Sequence, residues 1–317
     1  MHARARPPAA LLYGALCVHT LLSAGTYLWA KRALAEIPAL PLGLLRFAGA
    51  SLLLGAMLLR LRPTGQRLPP RSEWRKVIVL GFIAVPINQG FFLFGLQLST
   101  AAHAALLYTL TPLFVLLLAQ LLIGEFPGWR AAAGAVLALA GTVFVLLQRG
   151  LDLSRGPLIG DLLLLIAVVA WAIYTAEGRE MVTRHGALPV IAWTLIGGTL
   201  LYLPLGFVSL LSPSNRADIA GASREAWWGL VYLCVITSVV AYLLWYWGLK
   251  HLAAARVAIF TNLQPLATAF LAHVFFGERV TGGFLAGAAA VISGVLLAQW
   301  RTADAPREAL LESPAKS

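Results

Sequence analysis

Ten stretches of this chain run for about 20 residues with hardly a charge, at roughly 10–30, 39–60, 75–97, 100–123, 129–147, 160–181, 188–210, 227–249, 253–276 and 281–300. They are continuous rather than alternating, so each reads as helix rather than strand. A backbone N–H or C=O cannot go unpaired in hydrocarbon, so helices and closed barrels alone cross it. About 20 residues at ~1.5 Å rise cover a core ~30 Å thick. The chain therefore reads as an all-α polytopic membrane protein of ten transmembrane helices. Proline and polar clusters punctuate the runs: Pro38 and Pro41, Pro63 to Pro70, Pro127, Ser154 to Pro157, and Ser212 to Asn215.

Composition excludes a water-facing alternative. Of the 317 residues, 60% are hydrophobic and 12% charged, against about 45–50% and about 25% in soluble domains. The net charge of +11 does not point to nucleic acid, because the basic residues sit in short loops between apolar runs, where orientation signals belong. With the N-terminus inside, sixteen Lys and Arg fall in inner segments and seven in outer ones. Both termini are thus expected in the cytoplasm of a cell whose cytoplasmic (plasma) membrane holds the chain. His2, Arg4 and Arg6 ahead of an apolar run look like a signal peptide, but the run continues to about Ala30, so a retained first helix is expected. Cys17 and Cys234 lie inside apolar runs without ligand spacing, which predicts neither a disulfide framework nor a metal site. No cofactor is expected.

The chain repeats itself. Setting Pro112 on Pro265 sets Gly124-Glu125 on Gly277-Glu278, Gly134 on Gly287, Gly141 on Gly294 and Trp74 on Trp227, all 153 positions apart. A first unit over 10–147 and a second over 160–300 follow, with 1–9, the linker 148–159 and a polar, disordered tail 301–317 outside them. Each unit holds five runs. Five is odd, so the second unit enters the membrane upside down, an architecture of secondary transporters.

Several motifs recur in order: Ala30-Lys31-Arg32-Ala33-Leu34, Leu45-Arg46-Phe47, and Thr109 to Leu113 followed by Gly124-Glu125. In the second half stand Gly160-Asp161, Trp171 to Tyr174, Tyr242 to Trp245, Gly248-Leu249-Lys250, and Pro265 through Gly277-Glu278-Arg279. In these the chain resembles the drug/metabolite transporter superfamily, specifically its EamA branch of ten-helix proteins with two EamA repeats. The resemblance spans about residues 10–300. It implies transport of small metabolites, amino acids or drugs, often as export, through a cavity between the halves. The sequence departs from the family at Phe126-Pro127 and at Glu177.

The candidate site residues are the polar and aromatic ones inside the runs. Pro112 and Pro265 should act as hinges, each removing a backbone bond beside polar neighbours: Tyr108 and Thr111 in one half, Asn262 and Gln264 in the other. Asn88 and Gln89 form the most polar pair in any run and should point inward. Arg46 is an intramembrane charge and by default a functional one. Tyr27, Tyr174, Trp193, Tyr242 and Trp245 are candidates to line an organic-solute cavity. His19, His103 and His273 read as packing residues rather than proton carriers. Glu125 and Glu278 look like a carboxylate pair, but an inverted repeat puts them on opposite sides. Each precedes the next helix, so a helix-end role is expected. Small residues four apart in the fifth and tenth runs, such as Gly134 with Ala138 and Gly283 with Gly287, allow close helix contact and a possible homodimer. No phosphate-cradling loop or acid/base set appears. The expectation is a secondary transporter driven by an ion or solute gradient, its partners a small-molecule substrate and the lipid bilayer. The alternatives are an intramembrane enzyme and a passive channel or receptor.

Overall fold

The apolar runs fold as their length and lack of alternation require. The computed structural model describes residues 7–61, 68–99, 101–118, 121, 128–149, 155–276 and 282–299. Among them every regular element is helical and no strand occurs. In order these are α1 (Ala9–Leu34), α2 (Ala39–Leu61), α3 (Arg71–Leu98), α4 (Ala101–Tyr108), α5 (Thr111–Leu118), α6 (Gly128–Arg149) and α7 (Arg155–His185). There follow α8 (Ala187–Leu211), α9 (Pro213–Gly221), α10 (Arg224–His251), α11 (Ala254–Ala258), α12 (Gln264–Phe276) and α13 (Gly282–Gln299). Six of them, α1, α2, α3, α7, α8 and α10, are long and apolar enough to cross a membrane. The protein is a multi-pass membrane protein. The expected helix-end residues Glu125 and Glu278 and the tail 301–317 lie outside the described residues.

Burial matches a lipid solvent. Leu52, Leu200, Val208 and Leu285 are exposed, whereas Arg46, Asn88, Thr111 and Asn262 are buried. In hydrocarbon a polar group needs a partner that only the bundle interior offers.

Pro112 and Pro265 sit at divisions between helices rather than at smooth bends. The run expected as one helix over 100–123 is two pieces, because α4 ends at Tyr108 and α5 starts at Thr111. Pro112 is thus the second residue of a new helix, where its missing N–H breaks no helical bond. Pro265 is likewise second in α12, after a 3-10 turn over Ile259–Leu263. Pro86 does sit inside a helix, and the backbone there widens into a π-helical segment, Ile83–Gln89. A second π segment, Tyr232–Ala241 in α10, has no proline. Instead Ser238 Oγ donates to the Leu233 carbonyl five residues back at 2.9 Å.

Glycines set the closest helix contacts. A Cβ on Gly95 of α3 would fall 2.7 Å from the Gly160 carbonyl oxygen of α7, and one on Gly160 would fall 2.7 Å from that of Gly95. The α6–α13 pair is equally tight: a Cβ on Gly141 would lie 2.8 Å from the Gly287 oxygen, and one on Gly294 2.5 Å from the Gly134 oxygen. The small-residue faces that suggested a dimer are therefore packed on each other within one chain. Gly186, at φ +89°, turns α7 directly into α8 in a conformation that favours glycine.

Candidate functional site

Helices α1, α2, α3, α4, α7, α10 and α12 converge on one central cavity, lined by His19, Ser23, Thr26 and Tyr27 from α1, Arg46 from α2 and Gln89 and Phe92 from α3. Tyr108 from α4, Trp171 from α7, Thr237 and Tyr242 from α10, and Gln264 from α12 complete the wall. All of these side chains are buried, so the cavity lies within the bundle rather than on its surface. The space open to the centre of a water-sized sphere is about 60 Å³. One water needs ~10–15 Å³ on that measure, so the cavity as it stands admits a few waters or one small solute group.

Arg46 is the organising charge. It is 0% exposed. Its Nε donates to Ser238 Oγ at 2.9 Å and its Nη1 to Gln89 Oε1 at 2.8 Å. Both acceptors belong to π-helical segments, Gln89 ending the one in α3 and Ser238 lying inside the one in α10. A π turn rotates side chains out of the ordinary helical register. Here the two widened turns aim one oxygen each at the same guanidinium from two helices. The guanidinium also lies 4.7 Å from the Phe47 ring centroid. No carboxylate pairs with it among the described residues.

A chain of amides and hydroxyls continues from Gln89. Its Nε2 donates to Asn88 Oδ1 and, at 3.2 Å, to the Tyr242 hydroxyl. Asn88 Nδ2 donates to the Ala167 carbonyl at 2.7 Å and the Tyr108 hydroxyl at 3.2 Å. Tyr27 donates to Gln264 Oε1 at 2.9 Å, and Thr26 and Thr237 share a hydrogen bond of 2.9 Å. His19 Nδ1 donates to the Ala241 carbonyl at 2.9 Å, leaving Nε2 3.3 Å from Ser23 Oγ. Phe92 meets Tyr27 and Tyr108 edge-on at 6.0 and 5.8 Å. The wall is aromatic with polar tips.

Of the residues expected at the site, Tyr27, Arg46, Gln89, Tyr108, Tyr242 and Gln264 line the cavity, and Asn88 stands directly behind it. Trp245 is one layer further out, 5.7 Å from Trp171 and 4.7 Å from His19. Tyr174 lies in the same outer layer, 5.9 Å from Trp171 and bonded to Thr194 at 2.7 Å. Thr111 and Asn262 are buried at the two helix breaks but outside the lining. Among the described residues the Thr111 hydroxyl and both amide atoms of Asn262 have no hydrogen-bond partner. Sequence reasoning treated His19 as packing and passed over Ser23, Thr26, Phe92 and Thr237. A signal was present: His19, Ser23 and Thr26 are spaced i, i+4, i+7, which stacks them on one helical face.

Ion pairs tie the helices at both ends of the bundle. At one end Arg32 of α1 pairs with Glu225 of α10, and Glu36 accepts from the Ser223 N–H and hydroxyl at 2.6 and 2.7 Å. These bonds hold the Glu36 carboxyl below the usual range. Lys31 Nζ there donates to the Ser99 carbonyl at 2.6 Å, closing the C-terminus of α3. At the other end Lys76 of α3 pairs with Glu180 at 2.5 Å and Glu177 at 3.3 Å, both from α7. Arg179 Nε there donates to the Leu252 carbonyl just past α10, at 3.1 Å.

A family model described as the EamA-like transporter family matches this chain twice, over residues 10–147 and 158–300. An uncharacterized transporter of Archaeoglobus fulgidus is 30% identical over 283 residues, 89% of this chain and 95% of that protein. The uncharacterized transporter YdeK of Bacillus subtilis is 30% identical over 89% of this chain and 94% of its own length. A probable terminal-alkyne amino-acid exporter of Streptantibioticus cattleyicolor is 26% identical, covering 78% of this chain and 80% of that one. A crystal structure superposes with a TM-score of 0.73 at 22% identity, over 92% of this chain and 98% of the other, which shows a shared fold.

Proposed function

Because the chain belongs to the EamA-like transporter family and is thus a transporter rather than an enzyme, we propose that it is a secondary transporter moving a small organic solute by alternating access. In this reading it sits in the cytoplasmic membrane with both termini inside and favours export. The ten apolar runs form two inverted five-helix repeats, and the cavity around Arg46 is the solute site.

The observation that carries the reading is the contact between Gln89 and Tyr242. They lie 153 positions apart, the repeat offset, and bond to each other in the cavity wall at 3.2 Å. Equivalent positions of two halves can touch only near the axis relating them. The glycine contacts support the same relation, since Gly141 meets Gly287 while Gly294 meets Gly134, an exchange of partners under the same offset. So do the two caps. Lys31 closes the end of α3 at Ser99, and Arg179 that of α10 at Leu252, itself 153 positions on. Two halves with interchangeable roles let one closed end open while the other stays shut.

Counterflow tests this reading. The purified protein in liposomes loaded with one solute should accumulate the same labelled solute from a trace outside. Candidate solutes come from comparing metabolites exported by cells with and without the protein. Flux that shows no counterflow points to a channel, and no flux for any solute class would remove the proposal.

A further inference from the structure

We infer that the cavity recognises an organic monoanion, a carboxylate docked on Arg46 with its apolar part against the aromatic wall, in preference to a zwitterion or a cation. The inference rests on the proposed solute site and specifies its chemistry.

Charge balance is the reason. A guanidinium keeps its proton at any physiological pH and has five N–H donors. Arg46 uses Nε and Nη1 on neutral oxygens, those of Ser238 and Gln89. Among the described residues no carboxylate pairs with it, and the acidic side chains that form ion pairs do so at the ends of the bundle. A buried charge is costly until an opposite charge joins it. Among the described residues no other lining side chain is a Lys, Arg, Asp or Glu. The site therefore presents one positive charge, remaining guanidinium donors and a ring of neutral hydroxyls from Tyr108, Thr237 and Tyr242.

That tally discriminates among solutes. A carboxylate neutralises the site and takes two parallel N–H bonds from a guanidinium. A phosphate dianion leaves one negative charge uncompensated in a site with a single cation. An amino-acid zwitterion brings an ammonium for which the lining offers no carboxylate. A cation meets like charge. Phe92, Tyr27 and Trp171 then supply the surface for an apolar or aromatic remainder.

Two matched sets test the inference: isovalerate, valine and isobutylamine, and phenylacetate, phenylglycine and benzylamine. Binding is read from the rise in thermal unfolding temperature of the full-length protein in micelles, and transport from counterflow in liposomes. Each monocarboxylate should bind at least about tenfold more tightly than its partners, the scale of a hydrogen-bonded charge contact. Arg46→Gln should abolish the preference, and Arg46→Lys should keep its direction at lower affinity. Should Arg46→Gln fail to fold, the wild-type series and Arg46→Lys decide alone.

Equal or tighter binding of valine or an amine overturns the inference. So does a folded Arg46→Gln variant that still prefers the anion, or stabilisation by chloride that carboxylates do not exceed. Selective carboxylate binding without counterflow supports the anion site and removes the transport reading. Counterflow of valine or isobutylamine without carboxylate preference does the reverse.

Discussion

Gln89 Nε2 donates to the Tyr242 hydroxyl across 3.2 Å, and the two residues stand 153 positions apart. The same Gln89 accepts from Arg46 through its oxygen, so one amide links the buried charge to the other half of the molecule. Gln89→Leu takes an acceptor from a buried guanidinium, a loss of about 1–3 kcal/mol or more. Tyr242→Phe removes a hydroxyl whose partner keeps a second bond to Asn88, at about 1 kcal/mol. Thermal unfolding in micelles should rank Gln89→Leu well below Tyr242→Phe, and the opposite order would detach Gln89 from Arg46.

Asn262 should show stability and activity moving apart. Both its amide atoms are buried without a partner among the described residues, a state that costs about 1–3 kcal/mol per group. Asn262→Leu, with the same branching and no polar atoms, should raise the unfolding temperature where the break tolerates its larger volume. If the helix break before Pro265 takes part in transport, the same variant should lose flux. A variant that is destabilised would mean that the amide is satisfied in the working state.

Glycines with and without neighbours make an internal control. A methyl on Gly294 would meet the Gly134 oxygen at 2.5 Å and the Ala138 nitrogen at 2.6 Å. Both are backbone atoms and cannot swing aside, so Gly294→Ala should lose about 1–3 kcal/mol by overpacking. Gly14 has nothing within 4 Å of such a methyl, and Gly14→Ala should be neutral or stabilising by up to ~1 kcal/mol through helix propensity. Equal effects in unfolding assays would contradict the tight α6–α13 contact.

Much of this was legible in the runs and their offset. Long apolar stretches dictate helices, and a polar side chain inside one, such as Arg46, Gln89 or Tyr108, has nowhere to go but the bundle interior. The π segment of α10 was not legible, because Tyr232–Ala241 contains no proline or glycine and its widening follows from where Ser238 must point. Tyr174 and Trp245 were expected in the wall because aromatics suit one. Which layer an aromatic occupies depends on helix rotation, which an all-apolar run does not specify. His19, Ser23 and Thr26 carried a helical spacing, yet His19 taken singly looked like packing and the two hydroxyls went unweighed.

Acid should weaken one end of the bundle through Glu36. Its pKa is lowered by the Ser223 N–H and hydroxyl bonds. A depressed carboxylate stabilises the fold above its unfolded value of about 4.3 and loses that contribution as pH falls through the folded value. Wild type should therefore exceed Glu36→Gln in unfolding temperature at neutral pH, with the gap closing below pH ~4. A gap that persists in acid would contradict the assignment.

The central claim is that the two ends open in turn around one cavity. It is tested by closing each end covalently in a background lacking Cys17 and Cys234. One variant carries Arg32→Cys with Glu225→Cys, the other Lys76→Cys with Glu180→Cys, replacing ion pairs at opposite ends. A short bifunctional thiol reagent that a reductant cleaves is added to each in liposomes, and counterflow is measured before and after. Alternating access predicts that either cross-link alone stops counterflow and that the reductant restores it. Counterflow continuing at the original rate with either end locked would contradict the account.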